Sequence, residues 1–172
     1  DARQIGHQIG IGKTKIINDF LALGYGLEHL EPGDLAALQT GRVDPRGPKA
    51  LLGAGTGLGE SFLLWSGTRY LVYATEGGHA SFAPQNEEQD RLLAWLREKF
   101  KGHVSWERVA SGPGLASVYE FLTSTGAAKE NPAVKGQMAQ NDPAKVISEH
   151  AIAGDDPACE RALELFCSAY GS

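Results

Sequence analysis

Glycine occupies every second position in the stretch LLGAGTGLGESF, where Gly53, Gly55, Gly57 and Gly59 surround Thr56. Because glycine has no Cβ, successive backbone N–H groups can turn toward one point and an anion can approach them closely. The Thr56 hydroxyl offers a further donor. These residue types suit a phosphate-binding loop, and the same spacing also suits a flexible hairpin turn.

Two common phosphate-binding motifs do not fit this stretch. A Walker loop requires a lysine after its last glycine, and none follows here. The dinucleotide fingerprint requires a different glycine spacing and a helix after the turn, whereas the residues after this loop predict a second strand. Two interpretations of this stretch therefore remain: a phosphate-binding loop between two strands, and a plain hairpin turn.

Asn18 and Asp19 lie where a predicted buried strand meets a predicted helix. An Asn-Asp pair in that place commonly caps the helix. Alternatively, a carboxylate at a strand end projects into the cleft where ligands bind to open α/β sheets. In that second case Asp19 could take a proton from a hydroxyl group.

Three further polar residues, Glu76, His79 and Glu107, follow later in the chain. The two glycines of EGGH leave the backbone free to turn both Glu76 and His79 toward one ligand, although an ordinary solvated turn has the same composition. Glu107 lies in SWERVASGPG, on a predicted short helical turn where a glutamate is usually solvated. Together with Asn18 and Asp19, these residues match what a sugar requires, because vicinal hydroxyls need bidentate acceptors and planar amides.

The first third of the chain must position the Asn-Asp pair. Residues 1–12 are predicted to hold the end of a helix, and residues 13–17 (KTKII) a short buried strand. FLALGYGLEHL follows with helical spacing, weakened by Gly24 and Gly26. Residues 31–49 are rich in Gly, Pro and charge, which predicts a connection between two bodies.

The rest of the chain predicts strands first and helices afterwards. Residues 50–53, 61–65 and 69–74 predict a β-meander with a turn at 66–68. Asn86 is predicted to cap EEQDRLLAWLREKF, which Gly102 closes, and LASVYEFL begins a helix after the break at SGPG. The pairs DP at 142–143 and 156–157 each predict a cap followed by proline at the first helical position. Strands are thus predicted early in the chain and helices late.

Composition limits the classes of partner. With 172 residues, 42% apolar, 22% charged and a net charge of −5, the chain has no basic cluster that would indicate nucleic-acid binding. No apolar run is long enough to predict a membrane span. Cys159 and Cys167 lie eight apart on one predicted helix, too far for a disulfide, so reduced thiols and an intracellular compartment are expected.

Four motifs occur in a specific order: IINDF, GAGTGLG, EGGH followed by FAP, and HVSWERVASGPGL. In these the chain resembles, over essentially its whole length, the bacterial glucokinases of the sugar kinase, hsp70 and actin-like ATPase superfamily. The resemblance implies an α/β, actin-like ATPase (ribonuclease H-like) two-domain sugar kinase fold. It also implies ATP-dependent phosphorylation of glucose at the 6-hydroxyl to glucose 6-phosphate, with Mg²⁺ bridging the phosphates.

The resemblance assigns roles to the polar residues singled out above. Asn18 and Asp19 match the sugar-binding pair, in which the aspartate is the base that receives the 6-hydroxyl proton. The residues that match contacts to the ring hydroxyls are Glu76, His79 and Glu107. The second phosphate loop, beside the terminal phosphates of ATP, is matched by Gly55, Thr56 and Gly57. No protein ligand to a metal is expected.

The resemblance also predicts domains. Residues 1–29 would end the small domain at the cleft, residues 30–172 would form a truncated larger α/β domain, and 31–49 would be the crossover. The first phosphate hairpin, Asp-x-Gly-Gly-Thr, and the glycine-rich adenosine segment are absent, so we expect a piece of a longer protein that is inactive alone. No cysteine-rich zinc motif follows His79, so no structural zinc is expected. A cytoplasmic enzyme that forms a homodimer is the corresponding expectation.

Two other functions share the same fold. A non-catalytic, sugar-responsive regulatory protein would need the sugar contacts but could use asparagine in place of Asp19. An actin-like ATPase or assembly module would use the glycine loop for ATP alone and would need neither EGGH nor Glu107. The polar set therefore favours the kinase.

Overall fold

The structure, a computed structural model, describes all 172 residues and contains two compact units. Unit 1 comprises residues 1–52 and 60–75, and unit 2 comprises residues 53–59 and 76–172. One three-stranded sheet and seven α-helices confirm the predicted α/β class. The domain boundary predicted near residue 30 stays a prediction.

The first 75 residues contain two helices, two short 3₁₀ turns and the sheet. The helices are α1 (Ala2–Gln8) and α2 (Asp19–Gly26), with 3₁₀ turns at Leu27–His29 and Pro32–Asp34. The strands are β1 (Lys49–Ala54), β2 (Leu58–Trp65) and β3 (Tyr70–Thr75). They lie in the order β1-β2-β3, which confirms the predicted meander.

Strands β2 and β3 pair antiparallel, with Leu63 opposite Val72. Their turn is closed by the Ser66 N–H, which donates to the Arg69 carbonyl over 2.9 Å, and Gly67 provides the positive φ of 98° that the turn requires. Leu63 and Val72 point to the same face because they are directly opposite each other in the antiparallel pair. Leu21 of α2 packs on that face, so the sheet determines where α2 lies within unit 1.

Residues 13–17 do not form the predicted buried strand. The segment is irregular, and the Ile16 side chain is 62% exposed. A strand is stable only when a neighbour accepts its backbone hydrogen bonds, and none of the three strands pairs with this segment. The strand prediction for KTKII is wrong here, whereas the helix that follows it is present.

Unit 2 is mainly helical. Its elements are the 3₁₀ turns Gly77–His79 and Trp106–Arg108 and the helices α3 (Glu87–Phe100), α4 (Gly112–Ser124), α5 (Pro132–Met138), α6 (Pro143–Ala153) and α7 (Pro157–Tyr170). The caps predicted at Asn86, Asp142 and Asp156 are confirmed, because each side chain accepts a hydrogen bond from a backbone amide in the first turn of its helix. No helix in either unit combines the length and the apolar character needed to cross a bilayer.

Helix α4 forms the centre of unit 2 and packs against α3, α6 and α7. Val118 and Leu122 of α4 are fully buried, together with Leu92 and Leu96 of α3. Each buried aliphatic side chain of this kind stabilises the fold by about 1.5–3 kcal/mol. The core therefore fixes the start of α4, which contacts the glycine loop.

Two helix ends differ from the prediction. Helix α4 begins at Gly112, earlier than expected, because Ser111 caps it and Pro113 fits the first turn. The N–H that proline lacks would have no hydrogen-bond partner within the helix at that position. Helix α3 ends with Lys101 in the left-handed conformation, with φ of 55°, although Gly102 stands next to it. Gly102, which was predicted to end α3, lies one residue beyond the left-handed position, and Lys101 occupies that position instead.

Candidate functional site

Asn18 and Asp19 form the start of α2 in unit 1. The Asn18 side-chain oxygen accepts the Leu21 N–H at 3.1 Å, and one Asp19 carboxylate oxygen accepts the Phe20 N–H at 2.9 Å. The capping interpretation is thus correct for Asn18. Both residues are exposed, and the second Asp19 oxygen has no partner in the protein. The pair combines a structural cap with polar atoms that remain available to a ligand.

The structure brings Glu76, His79 and Glu107 together in unit 2. His79 Nε2 lies 3.6 Å from Glu76 Oε2, and His79 Nδ1 lies 3.9 Å from Glu107 Oε1. The short turn after β3 positions the first two, because the His79 N–H donates to the Glu76 carbonyl over 3.0 Å. One imidazole is thus placed between two carboxylates.

These three side chains are only loosely engaged with each other. Glu76 is 85% exposed, His79 is 62% exposed and Glu107 is 31% exposed. Both separations are longer than a hydrogen bond, and exposed ion pairs of this kind contribute little to stability. Stability of the fold does not explain the cluster, and most of its hydrogen-bonding capacity is available to a polyhydroxyl ligand.

Gly78, in the middle of EGGH, has a packing reason to be glycine. A Cβ at this position would lie less than 3.0 Å from the Leu58 carbonyl oxygen, at the start of β2. This close approach holds the turn that carries Glu76 and His79 against the end of the glycine loop. The sequence pattern alone indicated only freedom of the backbone here.

The glycine loop is held at both ends and unpaired at its tip. The Gly55 carbonyl accepts the Gly112 N–H of α4 at 2.8 Å, and the Gly55 N–H donates to the Gly57 carbonyl at 2.8 Å. The Leu58 N–H donates to Glu107 Oε2 at 3.1 Å. By contrast, the Thr56 and Gly57 amides and the Thr56 hydroxyl have no partner in the protein. Two adjacent amides and a hydroxyl form a group of donors that suits phosphate oxygens.

A small hollow of about 70 Å³ lies beside the loop tip in unit 2. Thr56, Glu107, Arg108 and Ser111 are among the residues that line it. The Arg108 guanidinium lies 4.3 Å from the centre of the Phe100 ring, which holds this cation in place. Arg108 is not among the residues predicted from the sequence motifs, although its position directly after Glu107 is a signal that could have identified it.

The family model for glucokinase matches residues 1–172. A glucokinase from Nostoc sp. is 41% identical over 100% of this chain and 54% of its own length. A glucokinase from Yersinia enterocolitica is 39% identical over 95% of this chain and 47% of its own length. The chain thus spans about half the length of the curated relatives it matches.

Solved structures give the fold. A glucokinase from an Antarctic psychrotroph, solved at 1.69 Å, has a TM-score of 0.78 and 28% identity over 98% of this chain and 49% of its own. A glucokinase from Balamuthia mandrillaris, in complex with glucose, has a TM-score of 0.58 over 72% of this chain and 34% of its own, at 24% identity. These similarities confirm the predicted actin-like ATPase fold, of which this chain covers a part. Because the family model matches every residue, the chain belongs to the glucokinase family.

Proposed function

We propose that the complete polypeptide containing this chain transfers the γ-phosphoryl group of ATP to the 6-hydroxyl of glucose, giving glucose 6-phosphate and ADP. This reaction is the first step of glycolysis, and we place it in the cytoplasm. The observation that carries the proposal is that Glu107 contacts the glycine loop through Leu58 and lies beside His79. Groups suited to a sugar and groups suited to phosphate therefore adjoin within unit 2.

The sugar is held by polar side chains that have capacity to spare. Glu76, His79 and Glu107 take the ring hydroxyls, because two carboxylates beside an imidazole can accept and donate the hydrogen bonds of vicinal hydroxyls. Asn18 and Asp19 complete the sugar-binding set through the atoms that capping of α2 leaves unused. The glucose bound in the Balamuthia mandrillaris relative supports this choice of ligand.

Asp19 is the proposed base. Its free carboxylate oxygen accepts the proton of the 6-hydroxyl group. At the same time the hydroxyl oxygen attacks the γ-phosphorus, and the bond between the γ-phosphorus and the departing ADP oxygen breaks. An ordinary carboxylate suffices, since the proton leaves late in a loose transition state. A regulatory protein that only binds sugar would not need this carboxylate, so the non-catalytic alternative is less favoured.

Gly55, Thr56 and Gly57 are the proposed phosphate-binding residues. The unpaired amides of Thr56 and Gly57 donate to phosphate oxygens, and the Thr56 hydroxyl adds a third donor. Mg²⁺ is usually held by phosphates, waters and one or two carboxylates, so we propose that it accompanies the ATP phosphates. When bound, Mg²⁺ supplies neutralisation of the charge on the phosphates.

The remaining proposals concern the whole polypeptide. We place residues 1–29 at the end of a small domain and residues 30–172 in part of a larger one, with 31–49 as the crossover. A homodimer is the proposed assembly, glucose and ATP are the proposed partners, and the described residues alone are proposed to be inactive.

The test is an assay of the complete polypeptide that couples ADP and sugar phosphate formation to separate readouts, over a panel of hexoses. We expect turnover with glucose and MgATP, with much lower rates for hexoses that change a ring hydroxyl. Binding of glucose without phosphoryl transfer would overturn the kinase proposal in favour of the regulatory protein.

A further inference from the structure

We propose that Glu107 is a positioning residue for the glycine loop, so that occupancy of the sugar site controls the geometry of the phosphate site. This inference rests on the proposed function and deepens it. The resemblance implies only sugar binding for Glu107 and only phosphate binding for Gly57. The structure links these two residues to each other.

The carboxylate of Glu107 is divided between two tasks. Oε2 accepts the Leu58 N–H at 3.1 Å, at the point where the loop enters β2. Oε1 faces His79 Nδ1 at 3.9 Å, on the side of the proposed sugar contacts. With 31% of the side chain exposed, Glu107 is also the most protected of the three acidic and imidazole side chains of this cluster. A sugar hydroxyl that binds Oε1 therefore acts on the same rigid group that holds the loop.

Gly57 makes this arrangement possible. A Cβ at position 57 would lie less than 3.0 Å from Glu107 Oε2, so the carboxylate occupies the space that any side chain would need. The backbone φ of Gly57 is not in the left-handed region. The contact with Glu107, and not the backbone conformation, therefore disfavours a side chain at this position unless the carboxylate moves. Gly55 differs, because a Cβ there would meet no atom within 4 Å.

The backbone around Glu107 holds the other end of the loop. The Ser111 hydroxyl donates to the Glu107 carbonyl over 2.6 Å, and its oxygen accepts the Gly114 N–H at 3.1 Å as the cap of α4. The next residue, Gly112, donates its N–H to the Gly55 carbonyl over 2.8 Å. The segment 107–112 thus contacts the loop on both sides of its unpaired tip. A displacement of Glu107 changes the direction of the Thr56 and Gly57 amides.

The first experiment separates positioning from sugar binding in the complete polypeptide. Steady-state kinetics would compare Glu107→Ala, Glu107→Gln and Glu76→Ala, with KM measured for glucose and for ATP. Both alanine variants should raise the KM for glucose. Only Glu107→Ala should also raise the KM for ATP, by about tenfold, the size expected when a hydrogen bond to a charged acceptor is lost. Glu107→Gln should recover most of the ATP effect, because its amide oxygen can still accept the Leu58 N–H.

The second experiment uses the glycines, and measures glucose binding by titration without nucleotide. Gly57→Ala should weaken glucose binding by about tenfold, because the new methyl group displaces the Glu107 carboxylate. Gly136→Ala, in α5, controls for an added methyl group and should leave glucose binding within about twofold of the parent, since open space surrounds that position. Circular dichroism of each variant establishes that it is folded.

Two outcomes would overturn the inference while the proposed function stands. One is an unchanged KM for ATP in Glu107→Ala, with the KM for glucose raised. The other is a Gly57→Ala variant that is folded and binds glucose as the parent does. Failure of the parent enzyme to phosphorylate glucose is a separate result, which overturns the proposed function itself.

Discussion

Gly24 of α2 lies against Val72 of β3 so closely that a Cβ on Gly24 would come within 3.0 Å of the valine Cγ1 atom. Gly24 is the buried residue of this helix, and Val72 belongs to the small core of unit 1. The absence of a side chain at one position therefore determines how close α2 lies to the sheet. The helix that presents Asn18 and Asp19 is placed by this contact.

The first prediction concerns that contact. Gly24→Ala should lower the free energy of unfolding by about 1–3 kcal/mol, because the new methyl group would overlap the β-branched Val72 side chain, whose χ1 angle is restricted. Gly26→Ala is the matched control on the same helix: a Cβ there meets nothing within 4 Å, so it should stabilise by about 0.5–1 kcal/mol through helix propensity. Urea unfolding measures both values. Equal effects of the two substitutions would contradict the role of the contact.

The second prediction concerns Asp19, the proposed base. Asp19→Asn keeps an oxygen that can accept the Phe20 N–H, so the complete polypeptide should fold normally. Its kcat should fall by about 10²–10⁴-fold, the usual contribution of a general base, with a small change in KM for glucose. Glu28→Gln, an exposed carboxylate a short distance further along the chain, should keep full activity. A kcat close to that of the parent in Asp19→Asn would remove Asp19 from the chemistry.

The third prediction concerns acid stability. Burial alone raises the pKa of the Asp156 carboxylate, but hydrogen bonds from Cys159, Asn131 and Ala158 outweigh burial and hold the pKa below its ordinary value of 3.8. A lowered pKa in the folded state contributes stability above the ordinary value, and this contribution is lost as the pH falls through the folded-state pKa. Asp156→Asn should therefore be less stable than the parent at neutral pH, and the difference should shrink below about pH 4.

Urea unfolding of both proteins between about pH 3 and pH 7 provides the measurement. The side chain also caps α7 by accepting the Cys159 N–H at 2.9 Å. Asp156→Ala, which removes the cap, should be destabilised by about 1 kcal/mol or more at every pH. A stability difference between Asp156→Asn and the parent that is the same at every pH would show that the ionised carboxylate adds nothing.

The fourth prediction concerns the two thiols of α7, both of which are free. Cys159 is fully buried. Burial, and to a smaller extent the nearby Asp156 carboxylate, raises the pKa of its thiol to about 12. Cys167 is exposed. Because the thiolate is the reactive form, a disulfide reagent should label Cys167 alone in the folded protein, and Cys159 only after unfolding. The variant Cys167→Ser should show no rapid labelling, and rapid labelling of that variant would contradict the burial of Cys159.

The sequence was a good guide wherever a structure is determined by neighbouring residues. Asn86, Asp142 and Asp156 were identified as caps because each bonds to amides only a few residues away. It failed for residues 13–17, where β-branched composition favours a strand but no neighbouring strand pairs with them. Strand formation depends on distant partners, which composition does not reveal.

The same distinction applies to the candidate site. The motifs identified Glu76, His79 and Glu107, and the structure brings them together in unit 2. The bond from Leu58 to Glu107 joins residues 49 positions apart, so no local pattern could predict why Gly57 is glycine. The position of Arg108 beside Thr56 is a tertiary relationship of the same kind.

The attachment of the glycine loop at Gly55 and Leu58 has a thermodynamic consequence. The chain loses the conformational entropy of these residues when it folds, a cost of about 1–2 kcal/mol for each backbone residue fixed. The nucleotide proposed to bind here would meet amides already oriented, so its affinity would not be diminished by the ordering of a mobile segment. Calorimetry should accordingly record a smaller entropic penalty for nucleotide binding in the parent than in Glu107→Ala, which lacks the hydrogen bond from the Leu58 N–H.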